Sequence, residues 1–345
     1  MKIRILGIVV LLSLLTLSCK DDDANEPVWG KLDDHIFVVN EGQFNASNSS
    51  ITAVNRQEGV IWNNIFEMVN GFRLGDICQS MTMHNDRAYI VVNNSSKIEV
   101  ADATTLESVG TIEGLSSPRY FLPISNDKAY VTNSVFDSTM TTLDVIDLNT
   151  LQITKSIPTR WGEQMVMADG KIFVGIMNSF DMLVIDPEID TIIKTIPVAY
   201  APNSLQVDKN GQVWALSDGG WNLHAPALQH INPTTLEVEQ TFTFDTSNYP
   251  EELAINSTKD KLYYLESGQV WSLGIEDTAL PAEALVSESD SYFYGLGVDP
   301  VTDYIYVTDG GDFVEKGDVL YYTNDGTAIS NFEVGVAPGG FYFSE

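Results

Sequence analysis

The chain has 345 residues, with 18 Lys and Arg against 48 Asp and Glu, a formal charge of −30 at pH 7. That balance excludes a nucleic acid as partner, because phosphate binding needs a basic face. Two cysteines rule out a disulfide framework and a CxxC metal knuckle.

In chain order, residues 1–18 read as a leader outside the fold. Lys2 and Arg4 make a short basic start, and "ILGIVVLLSLLTL" is an apolar run of thirteen residues, too short to span a bilayer. The leader ends at "LTLSC". With Cys19 after a small residue, this resembles a bacterial lipoprotein cleavage site, where the cysteine becomes the acylated first residue. Thr16 stands where leucine is commoner, and ordinary signal cleavage with an unmodified Cys19 is the alternative. Residues 19–33 form an acidic tether. Its "CKDDDANEP" resembles the export signal of surface lipoproteins in Bacteroidota, which implies an outer-membrane protein facing outward and held to the membrane by its lipid alone. Without Lys2 and Arg4 the mature chain has 16 basic and 48 acidic residues.

From Asp34 to Glu345 one unit recurs. Its first recognisable strand is aromatic and β-branched: "HIFVVN", "AYIVVNN", "AYVTNS", "IFVGIMN", "VWALSD", "LYYLES", "IYVTDG". These begin near residues 36, 88, 129, 172, 213, 262 and 305, a spacing of 41 to 52 residues that belongs to propellers and related arrays. A variable polar loop follows, then strands such as "KIEVAD" or "VIDLNT" and "SVGTI" or "ITKSI", then an apolar strand leading into an Asp/Asn/Gly turn. No stretch reads as an amphipathic helix. Seven units of four antiparallel strands predict an all-β fold, a seven-bladed β-propeller. The first unit lacks its leading strand, and the chain ends "VAPGGFYFSE". The strand Gly340–Phe343 is therefore expected to become the innermost strand of the N-terminal blade and close the ring.

"AYVTNS", "IYVTDG", "VIDLNT" and "VAYAPNSLQVDKNG" resemble the repeat of YVTN-type, YncE-like propellers over essentially the whole mature chain. As a whole the chain is similar to the "surface layer protein" propellers of gut Bacteroidota, and in particular to BtuG-type lipoproteins. That similarity implies capture of cobalamin and its transfer to a TonB-dependent outer-membrane transporter barrel, with no reaction and no resident cofactor.

The long loops fall between the second and third strands of their blades: "NEGQFNASNSS", "NSVFDSTMTT", "SDGGWNLHAPALQ" and "DGGDFVEKGD". Function concentrates on such loops when a rigid scaffold bears them. They share a face with the entries to the inner strands. By loop position and side-chain type, the candidate ligand-binding residues from the first blade are Asn40, Glu41, Gln43, Phe44 and Asn45, followed by Asn93, Arg119, Tyr120 and Phe136. Further on come Arg160, Trp161, Gln164, Phe180, Asn203, Trp221, Asn222 and His224, then Tyr249, Tyr294, Asp312 and Phe313. Flat aromatic faces beside amides and acids suit a large planar ligand or a sugar ring. Tyr120, Tyr200 and Tyr294 read equally well as packing between blades, whereas Phe44, Trp161 and Trp221 read as contacts.

Catalysis has little in its favour. Of four histidines only His224 lies in a candidate loop, no nucleophile–base pair is visible, and Glu163, Glu251 and Glu252 read as solvated acids near the channel mouth. A Ca²⁺ ion at Asp309 and Asp312 has no EF-hand spacing behind it. Cys78 reads as a buried small hydrophobe. The expectation is a lipid-anchored corrinoid-binding propeller; the alternatives are a glycan-binding lipoprotein, a propeller lyase or lactonase, and an adhesion protein.

Overall fold

The "AYVTN"-type strands are buried along nearly their whole length, for example Lys128–Asn133 and Lys171–Ile176. Both faces of such a strand must therefore be covered, which a sheet stacked between two others provides. The outer strands alternate instead, as in Glu237–Thr243, with one face packed and one in water. The computed structural model describes residues 31–135, 141–288 and 291–344. The leader, Cys19, most of the acidic tether and Phe136 lie outside the described residues.

Seven four-stranded antiparallel sheets form the seven blades. Six take their strands in chain order, and the first is ordered Pro338–Phe343, His35–Asn40, Ser50–Asn55, Ile61–Trp62. The C-terminal strand thus completes the N-terminal blade, with Ile36 opposite Phe343 and Val38 opposite Phe341. The innermost strands are Cys78–His84, Pro118–Pro123, Gly162–Ala168, Pro202–Val207, Glu251–Ile255, Phe293–Val298 and Pro338–Phe343. Each touches its counterpart in the next blade, so they ring a central channel.

The apolar clusters lie between adjacent blades. One joins Tyr130, Val145 and Ile157 of blade three to Met165, Val174 and Ile185 of blade four. Another sets Trp214 and Phe242 of blade five against Leu253 and Tyr264 of blade six. Each fully buried aromatic contributes roughly 1.5–3 kcal/mol, so the repeated Tyr and Val of the motif are the glue of the ring. Cys78 is fully buried, as its apolar context requires.

One expectation needs correction. A six-residue helix, Ile65–Asn70, fills the link between the first two blades and buries Ile65 and Phe66. Asn64 before it and Gly71 after it both have positive φ, so tertiary packing and not periodicity sets its bounds. Leu32, at the end of the tether, packs with the propeller. Leu32 is fully buried and its N–H donates to the Thr104 carbonyl at 3.1 Å.

Candidate functional site

At the loop-bearing end of the channel, every inner strand carries one extra residue relative to its neighbour. The register slips between Cys78 and Ser80, between Pro118 and Phe121, between Gly162 and Met165, and between Pro202 and Ser204. It slips again between Glu251 and Leu253, between Phe293 and Leu296, and opposite Val39 and Asn40. A β-bulge bends its strand and re-aims side chains. The second residue of each inner strand is thereby one member of a column around the mouth: Gln79, Arg119, Glu163, Asn203, Glu252, Tyr294 and Gly339. In blade one the column holds glycine, where a side chain would meet the Glu41 carboxylate at 2.7 Å. Glu41, carried by the loop, occupies that place.

Five of the column residues, Gln79, Arg119, Glu252, Tyr294 and Gly339, line a cavity of about 720 Å³. Its mouth is lined by Glu41, Gln79, Asn93, Arg119, Tyr120, Gln164, Glu251, Glu252 and Tyr294, with Phe44 at the rim. Deeper along the inner strands the lining mixes Thr82 and Gln206 with Leu253, Leu296, Val298, Phe341 and Phe343. Arg119 is held on three sides. Its Nε lies 3.1 and 3.2 Å from the two Glu163 carboxylate oxygens, its Nη2 lies 3.1 Å from Oε2, and its Nη1 donates to Gln79 Oε1. The Trp161 indole N–H donates to Glu163 at 2.9 Å. Tyr294 donates to Glu41 at 3.1 Å. Asp218, from the loop of blade five, accepts from Gly220 N–H at 2.7 Å, the Asn203 amide at 3.0 Å and the Tyr249 hydroxyl at 3.4 Å.

The electrostatics follow from this crowding. Burial disfavours the Arg119 charge, but Glu163 beside it overcomes that and holds its pKa above the usual arginine value. Burial, only partly offset by Arg119, raises Glu41 and Glu163. Glu251 is pushed up to about 7 by burial and by Asp218. Glu252 is pushed up to about 8 by burial and by Glu251, Glu41 and Glu163, with Arg119 opposing. Reading these glutamates as solvated loop acids is therefore wrong: Glu163 is 3% exposed, and all three stand on bulged inner strands.

Other candidates fall in different places. Asn40 is buried and structural: its amide donates to Ser50 and Thr52, and its Oδ1 accepts from Gly335 N–H of blade seven. Gln164 lines the mouth, but its Oε1 accepts from Ser204 and from Leu205 N–H, stitching blade four to blade five. Asn93 likewise donates to the Pro118 carbonyl. Gln43 and Asn45 shape their own loop through Asn48 and Asp76, and Asp312 accepts from Val314 and Glu315 N–H within its own turn. Arg160 is largely exposed, 4.0 Å from Asp181. Asn222 is exposed, at positive φ, on the tip that also carries Trp221.

The rim aromatics form clusters. Phe180, Tyr200 and His224 pack together at 4.5–5.0 Å. Trp221, 74% exposed, leans on Tyr249 at 4.8 Å. Phe313 stands edge-on to Tyr294 at 4.9 Å, and Phe44 is 70% exposed with no ring neighbour among the described residues. Trp161, expected as a contact, is half-buried over Glu163. Missed by residue type were Gln79, Gln206 and Asp218. Aligning the inner strands by their first residue places Gln79 in the column, whereas Gln206 lies deeper in its strand and Asp218 in a loop. Among the described residues, no three His, Cys, Asp or Glu side chains are grouped to hold a metal ion.

These features define a seven-bladed propeller with a polar, carboxylate-rich channel mouth. The model of the family described as a domain of unknown function, DUF5074, matches residues 34–344, and the chain belongs to that family. No curated protein matches it. Similar solved structures include a quinonprotein alcohol dehydrogenase-like protein of Bacteroides thetaiotaomicron, with 14% identity over 91% of this chain and 79% of that one and a TM-score of 0.70. The periplasmic gluconolactonase PpgL of Pseudomonas aeruginosa is 10% identical over 90% of this chain and 98% of that one, with a TM-score of 0.70. Dihydro-heme d1 dehydrogenase NirN in complex with DHE is 10% identical over 91% and 76%, with a TM-score of 0.61. At these identities the likeness is one of fold.

Proposed function

We propose that the protein captures a corrinoid on its loop-bearing face, is anchored to the outer membrane through acylated Cys19, and delivers its ligand to a TonB-dependent transporter without chemical change. The observation that carries the capture reading is the ring of bulges, which gathers side chains of one end of the channel around a cavity beneath exposed aromatics. A corrinoid is broad, flat and fringed with amides. Phe44 and Trp221 offer it apolar faces, while Glu41, Glu251 and Glu252 offer acceptors to its N–H groups. The closed ring holds the loop bases, so little ordering entropy is lost on binding. NirN, which shares this fold, was solved in complex with DHE.

Calorimetric titration with cyanocobalamin, supported by visible spectra of the washed complex, tests the reading. Absence of binding at micromolar concentration would overturn it. Trp221→Ala or Phe44→Ala should weaken binding by about 2 kcal/mol if the ring is a hot spot; full affinity in both variants would move the site off this face. A second reading, a propeller hydrolase, is favoured by Glu251, whose carboxyl lines the cavity without a hydrogen-bond partner among the described residues and is pushed up to about 7 by burial and by Asp218, which suits a general base. Turnover of a sugar lactone that Glu251→Gln abolishes would establish it.

A further inference from the structure

The channel mouth offers more hydrogen-bond acceptors than the protein itself uses. Arg119 is the only cation lining the cavity among the described residues, and Glu163 and Gln79 engage it. Asp218 accepts from three donors, and Glu41 receives the Tyr294 hydroxyl. Glu251 and Glu252 differ. Both line the cavity, and neither carboxylate receives a hydrogen bond or an ion pair from a described residue. Facing them are Asp218 from the blade-five loop, Glu41 from the blade-one loop and Glu163 from the blade-four inner strand, all of the same sign, with Arg119 of blade three already paired. The phenols of Tyr120, Tyr249 and Tyr294 stay neutral, because burial raises their pKa values.

We infer that Glu251 and Glu252 set the chemical class of the ligand, accepting hydrogen bonds from the N–H groups of a neutral or cationic molecule and rejecting anionic ones. The inference rests on the capture reading of this cavity. An arriving anion meets a mouth rich in carboxylates whose one guanidinium is engaged, so like-charge contact acts against it. An arriving N–H donor fills lone pairs that the fold leaves open, and it binds an ionised carboxylate more strongly than a protonated one. Since both groups titrate near neutrality, a donor draws protons off them. Affinity for donor ligands should therefore rise between pH 6 and pH 9, and affinity for anions should fall.

The test compares cyanocobalamin with a derivative whose primary amides have been hydrolysed to carboxylates, and tetra-N-acetylchitotetraose with tetragalacturonate. Each is titrated at pH 6 and pH 9 into the full chain and into Glu251→Gln and Glu252→Gln, with thermal unfolding to verify that the variants fold. The expected result is at least tenfold preference for a neutral probe over its anionic partner at pH 6, a wider gap at pH 9, and a narrower one in both variants. A neutral probe that binds no better than its partner at either pH overturns the inference and leaves capture standing. Preference for tetra-N-acetylchitotetraose with no binding of cyanocobalamin supports the inference and removes the corrinoid assignment. If neither neutral probe binds, both fall.

Discussion

Arg119 and Glu163 meet across two blades, and each needs the other. Arg119→Ala would leave the Glu163 carboxylate buried with only the Trp161 indole as donor, at a cost of about 3–5 kcal/mol in unfolding free energy; a loss under 1 kcal/mol in denaturant melts would show that water replaces the guanidinium. Glu252 gives a prediction of opposite character. Its carboxyl is raised from 4.5 to about 8, so between those values the folded protein holds a proton that the unfolded chain has released. Stability contributed by this group is present at low pH, falls as pH rises through that interval, and is level above it. A tenfold difference in proton affinity between the folded and unfolded chain corresponds to about 1.4 kcal/mol. The melting temperature of the ligand-free protein should drop from pH 5 to pH 8.5, and Glu252→Gln should flatten the slope; equal slopes would locate the titration elsewhere. Arg119, Tyr294 and Glu41 were legible in the sequence because they stand at strand entries or in a long loop. The burial of Glu163 and Glu252 was not, since it depends on what the other blades place opposite them.

At the scale of the strand, the bulge does the positioning. One extra residue turns the local alternation, so the second residue of each inner strand joins the mouth. Pairing register is a relation between two segments, and "EEL" or "PRYF" read alone is an ordinary strand start. Gly340 marks the same wall: it lines the cavity, and a Cβ built on it meets nothing within 4 Å. Gly340→Leu should project into open channel, change stability by less than about 1 kcal/mol, and reduce ligand affinity at least tenfold. Unchanged affinity would restrict the ligand to the rim above. The short helix illustrates the other limit of the sequence. Six residues make too few turns for a 3.6-residue period to be visible, and Asn70 holds it through the Leu106 carbonyl and Ser108 N–H of the next blade.

For the propeller as a whole, closure joins the first and last strands of the repeat. Arg56 of blade one donates to both Asp299 oxygens at 3.0 and 3.2 Å, to Asp34, and to the Ser344 carbonyl at 2.8 Å. It thereby ties the first strand's entry, the seventh blade and the last strand together beside the paired register of Ile36 and Phe343. Asp299 is fully buried, so Arg56→Ala should cost about 3–5 kcal/mol and lower the melting temperature with little response to salt, because buried pairs are weakly screened. A salt-sensitive loss would mean that the pair is more exposed than its geometry shows.

The sequence by itself determined the number of blades, the closing strand and the face that carries the long loops. Each of these follows from short-range pattern: alternation, turn residues and a period that recurs seven times. Tertiary structure alone decided which polar residues converge. Glu41 reaches the mouth because Gly339, nearly three hundred positions away, has no side chain; Asn40, its neighbour, turns inward to hold blade seven. Charge state followed the same rule, since Glu251 and Glu252 are shifted by burial and by carboxylates from other blades. Burial and through-space repulsion depend on distances in the folded ring, and a linear sequence carries no such distances.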